Sequence, residues 1–355
     1  MNLPQFPSSP SESASTAPQD AFFHQDTALP NLRHRLLQRI SPLKPSPNTF
    51  RGLALAVVLF PVLGGTNCSV HKRMNEEFFK YQHAPDASSA RTRPGYEALA
   101  IKVETRTLQG WFVPSAASGP EKSAVLIFHG VGETNSDWFP VMDYLSAHGV
   151  AAMVFDYSAF GKSTGDREYK NLSKDGEAAL ELFRKKTAPK TRRFVLGYSL
   201  GAGIALESIG ESGEPLTGVV VISGWRSWKG WLIDTERVPR ALGWLLPDIF
   251  DSEANLRKTT MPVLIVHGSA DKLMPVDGAN QLGRAAGERA QLRIVQGQGH
   301  NIPLKGKLDV FWKPLLRFMT GDVRSSHFSS IRTDSGGHNP LERRLPPFRR
   351  AATKP

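Results

Sequence analysis

VLGYSLGAG, residues 195–203, joins an apolar run of strand character to an amphipathic run of helix character, with Ser199 at its centre. This order of runs predicts that the chain turns from strand to helix within about two residues of the serine. Such a turn strains the serine backbone and exposes its hydroxyl. Gly197 and Gly201 flank the serine because side chains there would collide with the strand and the helix.

Apolar runs of the same kind recur along the chain, separated by amphipathic stretches. Near-continuous Val, Ile and Leu is typical of strands buried on both faces of a parallel sheet. The runs are AVLIFHG (Ala124–Gly130), AAMVFDY (Ala151–Tyr157), RFVLGYS (Arg193–Ser199), GVVVISG (Gly218–Gly224), PVLIVHG (Pro262–Gly268) and QLRIVQG (Gln291–Gly297). The helical stretches are Asn135–Ala147, Asn171–Lys186, Leu200–Ile209, Gly278–Ala286 and Leu308–Met319.

Two alternating segments, Ala98–Thr105 and Thr107–Pro114, precede these runs and predict an antiparallel hairpin. A hairpin followed by repeated strand and helix units indicates an α/β fold. The sequence therefore predicts a mostly parallel sheet of about eight strands with helices on both faces.

Two candidate partners for Ser199 follow later strands. Asp271 comes just after PVLIVHG, and His300 comes just after the last apolar run. Reactive groups of such sheets collect at the carboxyl ends of the strands, where the serine turn also opens. A serine hydroxyl is a weak nucleophile that needs a base. We therefore expect His300 to take the Ser199 proton and Asp271 to hold the imidazole in the correct tautomer.

Other residues compete for the acid and base roles. Asp277 follows the favoured acid but has the position of a helix N-cap. His129 and His267 lie within strand ends, and His148 lies at a helix end, where an interaction with the helix dipole explains it. A turn hydrogen bond is the alternative role for each of the two favoured residues.

The loop FHGVGETNSDW, after the first parallel strand, is the second part of the expected site. An acyl-transfer intermediate carries an oxyanion, which two backbone N–H groups can stabilise. We expect these groups to come from Leu200, directly after the serine, and from Val131. Gly130 and Gly132 allow the loop backbone to approach closely, and His129 is expected to brace the loop by a hydrogen bond. The alternative is a plain glycine turn.

Composition and charge exclude several classes of protein. The 355 residues are 40% apolar and 22% charged, which rules out a mostly disordered chain and a protein with many membrane spans. The one cysteine, Cys68, leaves no intrachain disulfide and no Cys-rich zinc site. The net charge is +11, but residues 321–355 alone carry seven Lys and Arg against three Asp and Glu. No recognition motif indicates nucleic acid. The charge favours weak attraction to an anionic membrane surface, and the alternative is that it only keeps the protein soluble.

The predicted domain spans residues 75–320, and three segments lie outside it. Residues 1–51 and 321–355 are rich in Pro, Ser and basic residues and are expected to be disordered. Residues 52–68 contain the apolar run GLALAVVLFPVL, which suits a signal-peptide core and is too short for a spanning helix. The run is followed by GGTNCSV, which resembles a lipoprotein box at Cys68. We expect export or membrane association; the alternative is a cytoplasmic protein whose apolar run packs on the domain.

Together these features resemble the α/β-hydrolase superfamily over Ala98–Met319. Three further stretches are similar to its monoacylglycerol-lipase-like, serine-aminopeptidase-like and protein-depalmitoylase-like branch: FDYSAFGKSTG at 155–165, DGEAALELF at 175–183 and GHN at 299–301. The resemblance implies the α/β-hydrolase fold and a catalytic triad formed by Ser199, Asp271 and His300.

The sequence also departs from that branch. Ser158 and Ala159 stand where the family's turn has Arg and Gly, so any contact of that Arg is missing. Similar motifs serve esterases, thioesterases, amidases and peptidases, so the resemblance implies the mechanism more closely than the substrate.

The resemblance further implies a small helical cap that determines specificity, here residues 225–260. This segment holds four of the seven tryptophans. We expect Trp225, Trp228 and Trp231 to line an apolar acyl pocket. The alternative is that they only pack the cap on the body of the domain.

These expectations combine into a serine hydrolase, esterase-like or lipase-like, that works through an acyl-enzyme and needs no cofactor and no metal. Its expected substrates are small-molecule or lipid carboxylic esters, with thioesters also compatible. Aminopeptidase or amidase activity is an alternative among enzymes. A non-catalytic relative that acts as a binding or envelope-associated protein is the alternative from another class.

Overall fold

The computed structural model describes residues 75–76, 79, 93–119 and 122–321. The predictions for residues 1–51, for the apolar segment 52–68 with Cys68 and for residues 322–355 lie outside the described residues. Within the described ranges, no helix combines the length and the apolar character that crossing a bilayer requires.

One eight-stranded sheet forms the centre of the described chain. In chain order its strands are β1 (Glu97–Val103), β2 (Arg106–Val113), β3 (Ser123–Phe128), β4 (Val150–Phe155), β5 (Arg192–Tyr198), β6 (Gly218–Ile222), β7 (Val263–Gly268) and β8 (Ala290–Val295). Their spatial order is β1-β2-β4-β3-β5-β6-β7-β8. The β1–β2 and β2–β4 pairs are antiparallel and the others are parallel. The predicted mostly parallel sheet is confirmed.

The central strands are buried on both faces, which explains their unbroken apolar sequence. Every residue of β3, β4 and β6 is buried. Alternate side chains of β3 enter two separate apolar layers: Leu126 and Phe128 belong to one, and Val125 and Ile127 belong to the other. A strand with a polar face could not occupy such a position without burying polar groups at a cost in stability.

Helices supply the outer part of both apolar layers. They are α1 (Phe139–Ala147), α2 (Asn171–Lys186), α3 (Leu200–Ser212), α4 (Trp228–Asp234), α5 (Ser252–Lys258), α6 (Val276–Ala286) and α7 (Asp309–Thr320). Leu180 of α2 packs in the layer of Leu126, whereas Leu145 of α1 and Leu315 of α7 pack in the opposite layer. Helices therefore cover both faces, as predicted.

The predicted helix over residues 135–147 is divided in the structure. A 3-10 turn spans Asn135–Trp138, and α1 begins at Phe139. Pro140 explains the division because proline has no N–H to donate and fits only the first turn of an α-helix.

The segment 225–260, called the cap below, lies between β6 and β7 and contains α4, a 3-10 turn over Arg240–Leu245, and α5. Trp225 and Phe250, which are hydrogen-bonded to each other within the cap, connect it to α3. The buried Trp225 donates its indole N–H to the Phe250 carbonyl at 3.2 Å, and the Phe250 N–H donates to the Glu207 carboxylate at 2.6 Å. A Cβ added to Gly203 of α3 would lie 2.9 Å from the Trp225 ring, so a glycine is needed where the cap meets α3.

Candidate active site

Ser199 occupies a strained turn between β5 and α3. Its φ of 53° and ψ of −118° lie in a region that non-glycine residues rarely adopt. A Cβ added to Gly197 would lie 2.6 Å from the Ala202 Cα, and one added to Gly201 would lie 2.1 Å from the Phe128 carbonyl oxygen. The two glycines therefore permit different contacts: Gly197 faces the start of α3, whereas Gly201 faces the end of the neighbouring strand β3.

The three residues predicted as nucleophile, base and acid lie in one chain of hydrogen bonds. The Ser199 Oγ is 2.9 Å from the His300 Nε2, and the His300 Nδ1 is 2.8 Å from the Asp271 Oδ2. A carboxylate accepts hydrogen bonds, so the Nδ1 carries the proton and the Nε2 is free to accept from the serine hydroxyl. This arrangement can remove the hydroxyl proton as the oxygen attacks a carbonyl carbon.

Asp271 is held in the ionised form that this arrangement needs. Burial alone would raise the pKa of its carboxyl. Its hydrogen bond and charge interaction with His300, together with the N–H of Met274, outweigh burial and hold the pKa below its ordinary value. The Asp271 Oδ1 accepts from Leu273 N at 2.9 Å and from Met274 N at 2.8 Å. Both carboxylate oxygens therefore have donors.

The competing histidines have other positions. His267 is fully buried behind Asp271, with its Nε2 2.8 Å from the Met274 carbonyl. His148 ends α1, where its Nδ1 lies 2.7 Å from the Tyr144 carbonyl. Neither is placed beside the serine as His300 is.

The expectation that Asp277 is an N-cap is wrong. Pro275 holds the N-cap position of α6, and Asp277 lies in the first turn of that helix. Its carboxylate accepts from the Gln281 side chain at 2.6 Å. A carboxylate in the first turn still interacts favourably with the helix dipole, which explains its place without a catalytic role.

The loop after β3 is braced at its start by two hydrogen bonds. The His129 Nδ1 lies 2.8 Å from the Gly130 carbonyl, which agrees with the bracing hydrogen bond expected from the sequence. The Tyr157 hydroxyl donates to the His129 carbonyl at 2.9 Å. A Cβ added to Gly130 would lie 3.1 Å from the Tyr198 ring, so the loop lies against the residue that precedes Ser199.

The two expected oxyanion donors flank this contact. Leu200 is the first residue of α3, and Val131 follows Gly130 in the braced loop. The close approach of the loop to the serine turn places both residues at the same edge of the sheet. Their role as donors to an oxyanion stays a prediction.

Glu133 is a site residue that the motifs did not indicate. Its Oε2 accepts from the Gly130 N–H and from the Trp138 indole N–H, each at 2.9 Å. Burial raises the pKa of its carboxyl, and the Gly130 N–H opposes that shift. In the sequence, Glu133 lies within GETNSDW, which resembles an ordinary polar loop. Only the fold shows that its carboxylate accepts hydrogen bonds from the same loop.

Trp225, Trp228 and Trp231, predicted to line an acyl pocket, form one aromatic cluster. Their ring centroids lie 4.9 to 6.1 Å apart. Trp225 is buried against α3, whereas Trp231 donates its indole N–H to the Leu273 carbonyl at 3.0 Å. Trp225 and Trp231 also line a small cleft together with Met274 and the start of α6. Contact of these rings with a substrate stays a prediction.

Metal binding has no visible basis in the described residues. Within residues 93–119 and 122–321 and the short described stretch before them, no three His, Cys, Asp or Glu side chains are grouped so that they could hold an ion.

Comparison with known proteins agrees with the fold. The family model for serine aminopeptidases, S33, matches residues 119–253, which include Ser199 but not Asp271 or His300. The uncharacterised protein YfhR of Escherichia coli K12 is 28% identical over 238 residues, which are 64% of this chain and 81% of YfhR.

Two solved esterase structures are similar in fold. A thermostable carboxyl esterase of Bacillus coagulans, in complex with glycerol, has a TM-score of 0.52 at 14% identity and covers 64% of this chain and 98% of its own. Est1E of Butyrivibrio proteoclasticus, with bound ferulic acid, has a TM-score of 0.51 at 19% identity and covers 62% and 98%. The sheet and these structural matches show that the chain has the α/β-hydrolase fold.

Proposed function

We propose that this protein is a serine hydrolase that cleaves carboxylic esters through an acyl-enzyme. The observation that carries the proposal is the continuous hydrogen-bond chain from Ser199 through His300 to Asp271. The strained backbone of Ser199 supports it, because such strain persists mainly where it presents a reactive group.

Acylation follows from the positions of these groups. The Ser199 Oγ attacks the ester carbonyl carbon while the His300 Nε2 takes the hydroxyl proton. The carbonyl oxygen becomes an oxyanion, which the Leu200 and Val131 N–H groups would stabilise. The bond from the carbon to the leaving oxygen then breaks, and the imidazolium of His300 returns its proton to that oxygen. Asp271 stabilises the imidazolium throughout.

Deacylation repeats the sequence with water. The His300 Nε2 takes a proton from water, whose oxygen attacks the acyl carbon. The bond to the Ser199 Oγ breaks, and the serine oxygen regains a proton from His300. The products are a carboxylic acid and an alcohol, and the enzyme returns to its starting form.

Small-molecule esters are the proposed substrate class. Two esterases share the fold, and the aromatic cluster of the cap offers apolar surface for an acyl group. Lipid esters and thioesters fit the same chemistry. The match to a serine aminopeptidase family favours one second candidate, hydrolysis of an aminoacyl amide.

The test is a substrate panel on the full chain and on Ser199→Ala. Nitrophenyl acetate, nitrophenyl octanoate, an acyl thioester and an aminoacyl nitroanilide cover the candidates. We expect ester hydrolysis by the wild type, and a loss of roughly 10⁴-fold or more in the variant with an unchanged melting temperature. Cleavage of the anilide alone would establish the second candidate, and equal rates for both proteins would refute a serine mechanism.

A further inference from the structure

Hydrogen bonds hold both the N–H groups and the carbonyls of the turn that carries Asp271, residues 271–274. The N–H groups of Leu273 and Met274 donate to the Asp271 Oδ1. The carbonyls of the same two residues contact ring nitrogens. The Leu273 carbonyl accepts from the Trp231 indole N–H, and the Met274 carbonyl lies 2.8 Å from the His267 Nε2. The turn therefore depends on one residue of the cap and on one residue of β7.

His267 has the protonation state that this contact needs. Burial lowers the pKa of its imidazole, opposed in part by the Met274 carbonyl and by Asp271. A neutral ring has one N–H, and the Met274 carbonyl requires that N–H at Nε2. The buried Nδ1 has no hydrogen-bond partner, which suits a lone pair better than a proton. The His267 Nε2 lies 3.5 Å from the Asp271 Oδ2. Because the His267 ring is neutral, it does not compete with His300 for the negative charge of the carboxylate.

Contacts within the cap fix the orientation of the Trp231 ring. Its ring packs against Trp228 at a centroid distance of 4.9 Å with a tilt of 33° between the ring planes, and the Arg237 guanidinium carbon lies 4.2 Å from its centroid. Cation–π contact and aromatic packing both restrict the plane of an indole ring. The indole N–H therefore points at the Leu273 carbonyl from a side chain whose position is set within the cap.

We propose that His267 and Trp231 are positioning residues for Asp271, so that the cap contributes to catalysis through the acid turn. The proposal rests on the proposed serine hydrolase function. Asp271 acts on the reaction only through its hydrogen bond to His300, so a small movement of the turn changes the orientation of the base. Displacements of about 1 Å in such groups lower rates by up to about 100-fold.

Trp231→Phe tests the contribution of the cap, with Trp244→Phe as the matched control. Phenylalanine keeps an aromatic ring but removes the N–H donor. Trp244 is a cap tryptophan that is 77% exposed. We expect Trp231→Phe to lower kcat about 10-fold on both nitrophenyl acetate and nitrophenyl octanoate with little change in KM, and Trp244→Phe to match the wild type. A loss confined to octanoate would show instead that Trp231 serves only as acyl-pocket surface and would overturn its positioning role.

His267→Leu and His267→Gln test the contribution of β7. The glutamine amide can place an N–H donor where Nε2 lies, whereas leucine cannot. We expect kcat to fall between about 10-fold and 100-fold in His267→Leu and to recover most of that loss in His267→Gln. Equal losses in both variants, or no loss in either, would overturn the role of His267.

One readout is independent of turnover and so separates this proposal from the proposed function. The proton between the His300 Nδ1 and the Asp271 Oδ2 should give a strongly downfield signal in the proton NMR spectrum of the full chain. We expect the signal in the wild type, Trp244→Phe and His267→Gln, and its broadening or loss in Trp231→Phe and His267→Leu. An unchanged signal in the last two variants contradicts the proposal whether or not any ester is hydrolysed.

Discussion

At the scale of single residues, Glu133 joins the start of the loop after β3 to the 3-10 turn at the end of the same loop. One carboxylate oxygen accepts both from the Gly130 N–H and from the Trp138 indole. Because the carboxylate occupies the Gly130 N–H, Val131 stays the predicted oxyanion donor of this loop. Removal of the acceptor would leave two donors unsatisfied, at about 1–3 kcal/mol each where they are buried.

Glu133→Ala and Glu133→Gln separate these effects. We expect Glu133→Ala to lower both kcat, by about 10-fold or more, and the melting temperature, because the loop loses its acceptor. Glutamine retains a carbonyl oxygen that can accept the same two N–H groups. We therefore expect Glu133→Gln to keep most of both quantities, measured by ester turnover and thermal unfolding. Wild-type kcat in Glu133→Ala would show that the loop does not depend on this contact.

Some residues of the site can be predicted from the sequence, and others cannot. Ser199, Asp271 and His300 follow from one rule, since each lies at or just after the carboxyl end of a predicted strand of a parallel sheet. Glu133 and His267 do not follow from it, because their partners are backbone groups and the Trp138 indole, whose positions depend on the fold. The sequence indicates His267 only as a rival base, because its contact with the Met274 carbonyl depends on the fold of the turn after β7.

At the scale of elements, the junction of β3, β5 and α3 has no room for an additional methyl group at Gly201. A Cβ there would lie 2.1 Å from the Phe128 carbonyl oxygen and 2.5 Å from the His129 carbonyl oxygen. Neither oxygen can withdraw without moving β3. This junction also sets the distance between the serine turn and the braced loop.

Gly201→Ala, with Gly283→Ala as its control, tests this packing. Gly283 is a helical glycine of α6 whose added Cβ would meet nothing within 4 Å. We expect Gly201→Ala to lower the free energy of unfolding by about 1–3 kcal/mol and to abolish most activity. The same change at Gly283 should raise that free energy by about 0.5–1 kcal/mol. Urea unfolding measures both, and similar effects at the two positions would contradict the steric explanation.

Glu207 makes the junction of α3 and the cap sensitive to pH. Burial raises the pKa of its carboxyl from 4.5 to about 7, although the Phe250 N–H opposes the shift. A carboxyl with a higher pKa in the folded protein binds its proton more tightly there than in the unfolded chain. Its contribution to stability is therefore fully present below pH 4.5 and is lost as the pH rises to about 7.

Glu207→Gln should remove this dependence while keeping an oxygen for the Phe250 N–H. We expect the variant to gain stability relative to the wild type as the pH rises from 4.5 to about 7, with no further gain above that range. Urea midpoints of both proteins at pH 5 and pH 8 provide the measurement. A difference between the two proteins that is the same at both pH values would refute the assignment.

At the scale of the whole molecule, the alternation of runs was enough to predict an α/β fold but not the spatial order of the strands. β3 lies between β4 and β5, so the chain reverses direction across the sheet after β4. No local pattern encodes that reversal, because β3 and β4 are equally apolar and equally buried. The order depends on how the crossover helices pack, which the sequence shows only as amphipathic stretches.

The segment 52–68 lies outside the described residues, so export or membrane association stays a prediction. Expression of the full chain and of Cys68→Ser in bacteria, followed by fractionation and labelling with radioactive palmitate, tests it. We expect a labelled, membrane-bound wild type and an unlabelled variant if Cys68 receives a lipid. An unlabelled wild type with an intact N-terminus, wholly in the soluble cytoplasmic fraction, would contradict the prediction.

The proposed chemistry depends on one event, the transfer of an acyl or phosphonyl group to the Ser199 oxygen. A fluorophosphonate mimics that step, because its phosphorus accepts the serine oxygen, releases fluoride and leaves a stable adduct. We would treat the folded full chain with such a probe and locate the added mass by peptide mass spectrometry. The account predicts one adduct on Ser199 that is absent from Ser199→Ala and strongly slowed in Asp271→Asn. An unmodified serine in the folded protein, or equal labelling of Ser199→Ala, would contradict it.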